Sequence, residues 1–173
     1  MKNLRNHVIL ILTVYLIGNV NLAHAQSANH DAYYKTGERD MHNTLFSKFD
    51  TLRRKRIDTC LTAAIFAQFT ISSKGKVSNV QLFGSKTALA AYGNEIKFVV
   101  ESTDGNWAPQ TFNHKAVESD PIVQPVFIKM EDCPPNSTSD TFRADILSFF
   151  SIPGKKIFRK INMLSPLVFE ANR

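Results

Sequence analysis

Cysteine, histidine and tryptophan are all scarce in this chain, and each scarcity closes off a class of chemistry. The two cysteines, Cys60 and Cys133, lie far apart with no histidine close to either. That gives too few ligands for a zinc site, and no local Cys–His signature marks a thiol nucleophile. Beyond residue 25 the histidines are His30, His42 and His114, each read as a solvated side chain. Asp31, Asp40 and Asp50 are too dispersed to act as a carboxylate pair, and no glycine-rich loop is present to cradle phosphate. The expectation is a protein that is not an enzyme and carries no metal and no cofactor.

Long apolar runs are also lacking, with one exception. Val8 to Val20 is mostly apolar, but it is shorter than the roughly 20 residues a spanning helix needs, and Asn19 interrupts it. Lys2 and Arg5 precede it and Ala23-His24-Ala25 follows, which is the layout of a secretory signal cleaved near Ala25. The rival reading is an uncleaved membrane anchor. No cysteine follows the run to accept a lipid. Cleavage implies a periplasmic or secreted protein.

Charge of one sign is not in large excess. The chain has 21 basic and 15 acidic residues, and losing Lys2 and Arg5 leaves 19 against 15. The basic residues cluster at Arg53-Arg54-Lys55-Arg56 and between Lys155 and Lys160. Such clusters suit a solvated face, or peripheral membrane contact through phosphate-bearing lipid. Export argues against nucleic acid as the partner. It also places both cysteines in an oxidising compartment, where an even count is expected to pair. A Cys60–Cys133 disulfide would close a loop of about 72 residues and stabilise by a few kcal/mol.

What is present divides into segments. Residues 26–55 read as a flexible lead-in ending in a short helix, with Leu45, Phe46, Phe49 and Leu52 at helical spacing. Ala63 to Ile71 alternates like a strand, Ser72 to Lys76 is a turn in which Gly75 is free to take positive φ, and Val77 to Phe83 returns as a second strand. Ser85 or Thr87 caps a following helix whose stripe is Leu89, Tyr92, Ile96, Val99 and Val100. Trp107 stands beside the rigid Pro109, where core packing with its N–H bonded is expected. Ile122 to Met130 reads as a third strand. Pro121 and Pro125 cannot donate to a ladder, so this strand is expected at a sheet edge. Residues 134–173 read as a tail, with a helix from Asp140 to Phe150 and a mixed basic and apolar end.

Three stretches in this order resemble the C-terminal domain of TonB, the energy-coupling protein of Gram-negative envelopes. They are Phe69 to Val80 with its Gly75-Lys76-Val77 return, Trp107-Ala108-Pro109 after a helix, and Phe112 to Val117 followed by Val123-Gln124-Pro125-Val126-Phe127. His114 stands where that family usually has glycine. The resemblance implies, for residues 56–133, an α+β domain of β-β-α-β order: a three-stranded antiparallel sheet with a helix packed on one face. It also places Cys60 and Cys133 near each other, at adjacent strand ends. The function it implies is strand addition, with Ile122, Val123, Gln124, Val126, Phe127 and Ile128 pairing an envelope or outer-membrane protein. Either that edge is open or the C-terminal tail covers it, and open edges leave room for a homodimer. An energy transducer with a retained anchor is the alternative. Against it, residues 26–62 contain no proline and reach only about 120–135 Å when fully extended.

Overall fold

The computed structural model describes residues 29–53, 61–130, 139–140, 145–147, 149 and 160–171. Both cysteines, the N-terminal segment read as a signal, and most of both basic clusters lie outside them.

The central strand is β2 (Leu61–Ile71), and its side chains explain the layering. From Ala63 to Ala67 every residue is buried, and after that burial alternates. A continuous apolar stretch is what a strand needs when both faces are covered. Ala63, Ile65, Ala67, Phe69 and Ile71 face the main core, while Ala64 and Phe66 face a smaller cluster on the reverse side. The hairpin partner is β3 (Val77–Phe83), joined through the turn that holds Gly75 at φ 75°.

Two helices cover the main-core face. The helix α1 (Glu38–Arg53) buries Met41, Leu45 and Phe49, spaced one helical turn apart. The helix α2 (Lys86–Glu101) begins at Ser85, whose hydroxyl accepts the Ala88 N–H at 3.1 Å, and buries Ala88, Tyr92, Ile96, Val99 and Val100. On the reverse face, Phe149 stacks on Phe66 with ring centroids 4.4 Å apart. Residues 145–147 are helical. Asp145, fully buried, accepts the Ala64 N–H at 2.9 Å and the Ser85 N–H, tying this segment to both β2 and the start of α2.

Two smaller antiparallel pairings follow among the described residues. A short strand β1 (Tyr33–Tyr34) pairs antiparallel with β4 (Trp107–Ala108), and His30 bridges to Thr111. Residues 29–34, expected to be part of a loose lead-in, therefore dock along 107–111. The strands β5 (Gln110–Phe112) and β6 (Lys115–Val117) form a second small hairpin. Its two-residue turn, Asn113-His114, has both residues at positive φ, 50° and 61°, the requirement of a type I′ turn.

The largest sheet runs β10 (Leu167–Ala171), β7 (Ile122–Met130), β2, β3. Two short strands join it in parallel: β8 (Ser139–Asp140) on β2, and β9 (Asn162–Met163) on β7. The β7–β10 pairing is parallel too, whereas β2 is antiparallel to both β3 and β7. The expected three-stranded antiparallel sheet with one helix is thus corrected to a mixed α+β fold with three sheets among the described residues. The cause is the tail, whose apolar Leu167 and Phe169 enter the main core and bring β10 onto β7.

The edge position expected for Ile122 to Met130 is corrected by the same pairing. The strand lies between β2 and the β9/β10 chain, and Pro125 is accommodated by local geometry. Val123 O accepts the Leu164 N–H at 2.9 Å. Residues two apart on a strand face the same way, so the donor-less nitrogen of Pro125 also faces the tail. There the ladder is broken. Two residues of β7, Gln124 and Pro125, oppose three of the tail, Leu164, Ser165 and Pro166. Gln124 spans the gap, its Nε2 donating to Ser165 O and Pro125 O at 2.9 Å each.

Candidate functional site

Beside that break lies an open cleft of about 260 Å³. Its walls come from segments far apart in the chain. Ala32, Tyr33 and Tyr34 form one side, and Gly37, Glu38 and Met41 at the start of α1 form another. Trp107 and Ile122 contribute from β4 and β7, and Asn162 and Leu164 from the tail. The lining is mainly apolar and aromatic, as in most small-molecule sites.

The aromatic wall is fixed from behind. Trp107 is buried, and its Nε1–H donates to Thr103 Oγ1 at 3.0 Å. Tyr34 and Phe69 meet the indole edge-on, with centroids at 5.4 and 5.5 Å. Gly75 closes over the other side of the backbone, where a Cβ would stand 2.5 Å from Trp107 O. Pro109 sits next to the same turn, its Cδ 3.9 Å from that position. A side chain at residue 75 would displace the strand that carries the indole.

The polar groups of the cleft are mostly engaged with one another. Asp31 is held by Lys160, with Nζ 2.7 Å from Oδ1. Glu38 Oε1 accepts the Ser165 hydroxyl at 2.8 Å and the Ser165 N–H at 3.1 Å. These two bonds hold its carboxyl below the ordinary value of 4.5, the hydroxyl contributing most, with a lesser pull from His42. Asn162 differs, since its Nδ2 is buried with no hydrogen-bond partner among the described residues.

A serine bonded to a carboxylate near a histidine invites a catalytic reading, and the geometry argues otherwise. His42 Nε2 is 3.9 Å from Glu38 and not on the serine. A carboxylate kept ionised by accepting two bonds from one residue is a weak base. The arrangement suits clamping the tail to the start of α1.

Of the residues singled out from sequence, Trp107 and Ile122 line the cleft, and Gly75 and Pro109 brace it. Val123, Val126, Phe127 and Ile128 are internal sheet residues. Gln124 is buried and bridges the break. His114 sits in the β5–β6 turn and His42 on α1. The contributions of Tyr34, Glu38, Met41, Asn162 and Leu164 were missed. Adjacent tyrosines in an otherwise polar stretch were the one available signal.

A scan against family models and searches of curated proteins and of solved structures match nothing. The TonB likeness is therefore corrected. No family model supports it, and its topology lacks the parallel tail strands and the second covering helix found here. The function inferred from it falls too, because the strand meant to receive a partner is already paired on both sides. The energy-transducer alternative goes with the family. Among the described residues no helix is long and apolar enough to cross a membrane.

Proposed function

We propose that the chain is an exported, non-catalytic binding protein for a small apolar molecule, with the cleft as its site. One observation carries the reading: four separate segments converge on an apolar, ring-sized space whose aromatic wall is locked by its own hydrogen bond and ring contacts. Preformed walls lower the ordering cost of binding. The basic start, apolar run and Ala23-His24-Ala25 support export.

Trp107 is the only tryptophan, so its indole N–H gives a single, assignable NMR signal from the cleft wall. A screen of small apolar compounds should shift that signal saturably. Leu164→Phe, which narrows the cleft from its rim without adding a second indole, should weaken the effect while leaving the fold intact. If no compound shifts the signal, the reading fails. N-terminal sequencing of the mature protein should begin at Gln26.

A further inference from the structure

Resting on that reading, we infer that the Tyr34 hydroxyl is the polar anchor of the cleft, and that the site takes an aromatic ring carrying one hydroxyl or carbonyl oxygen. Tyr34 lines the cleft and is only 7% exposed. Its hydroxyl makes no hydrogen bond among the described residues, yet it is not sealed from solvent. Buried tyrosine hydroxyls usually find a partner. The neighbouring indole follows that rule, with Trp107 Nε1–H on Thr103 Oγ1, and Tyr34 does not.

The other polar side chains around the cleft are poorer anchors. Asp31 is paired with Lys160, and Glu38 Oε1 accepts both the hydroxyl and the N–H of Ser165. Asn162 Nδ2 has no partner among the described residues, but it is sealed from solvent and out of a ligand's reach. Tyr33 is half exposed at the rim, where water competes for its hydroxyl. Tyr34 combines deep burial with an uncommitted, reachable oxygen.

The anchor is also held in place. The Tyr34 backbone pairs with Trp107, and its ring meets the indole edge-on at 5.4 Å and 86°. A group fixed before binding costs little to order. A phenolic hydroxyl can donate or accept, so the ligand oxygen can belong to a hydroxyl or a carbonyl. The ring comes from the walls, where Tyr34 and Trp107 present aromatic surface and Met41 adds a polarisable thioether. Cavities of about 150 Å³ hold benzene, so about 260 Å³ takes a ring with a short substituent.

The test compares p-cresol with toluene, which differ by one hydroxyl, on the full mature protein through the Trp107 indole signal. Both should bind the unmodified protein. Tyr34→Phe removes only the anchoring oxygen. It should weaken p-cresol about fivefold or more and leave toluene unchanged, because the ligand hydroxyl then enters the cleft without a partner. In unmodified protein carrying isotope-labelled tyrosine, the Tyr34 Cζ signal should move several times further with p-cresol than with toluene. That second measurement decides the matter even where the variant folds poorly. Binding of p-cresol that survives Tyr34→Phe, or equal Cζ shifts with the two probes, overturns the anchor and leaves the cleft itself a binding site. Silence from both probes in the unmodified protein defeats the underlying reading as well.

Discussion

Asp145 is a fully buried carboxylate that holds two backbone N–H groups from different elements, Ala64 of β2 and Ser85 at the start of α2. Its place near the first turn of α2 also suits the helix dipole. Asp145→Ala leaves both donors without this acceptor, at about 1–3 kcal/mol per group, so urea denaturation should show a loss of several kcal/mol. The opposite sign is expected at His114. Two consecutive non-glycine residues at positive φ carry strain in the β5–β6 turn. His114→Gly relieves one of them and should raise stability by about 1 kcal/mol, measured the same way. The chain reversal there has a local cause, because asparagine tolerates positive φ. The partners of Asp145 were not legible, since nothing local says that a carboxylate will reach across 81 residues.

At the level of elements, the strand–helix stretch from β2 to α2 was legible, because each element has its own period and its own stop. Ala63 to Ile71 alternates like a strand and Ser85 announces a helix start, whereas the cover on the second face of that strand was not expected. The tail was not legible. Asn162-Met163 and Leu167 to Ala171 are too short, and too interrupted by Pro166, to show a period. What fixes them is the clamp between α1 and Ser165. Glu38 has its folded pKa depressed, so the clamp contributes fully above the ordinary glutamate range. That contribution is lost as pH falls through the depressed folded value. Glu38 is half exposed, so solvent screening keeps the effect modest. Glu38→Gln should lower stability at pH 7, and the difference from the unmodified protein should shrink as the pH is lowered below the ordinary glutamate range in parallel denaturation curves.

For the molecule as a whole, the prolines misled because Pro125 was judged by its strand alone. A missing donor demands an edge only where the neighbouring strand requires that donor, and here the neighbour is bulged. The tail is consequently part of the core, with Phe169 buried 4.3 Å from the Phe49 ring and stacked on Phe46 at 4.8 Å. A chain ending at Met130 loses this aromatic packing, and truncating one buried phenylalanine alone costs about 3–5 kcal/mol. Such a chain should lose its cooperative unfolding transition, read by circular dichroism against temperature. The seam at Pro125 also divides the tail kinetically. With main-chain rungs absent there, peeling of the final strand halts at Gln124 instead of running on into Asn162 and Met163. Deuterium uptake should therefore fall into two classes: the amides of Leu167 to Ala171 exchanging together, and that of Leu164 persisting after them.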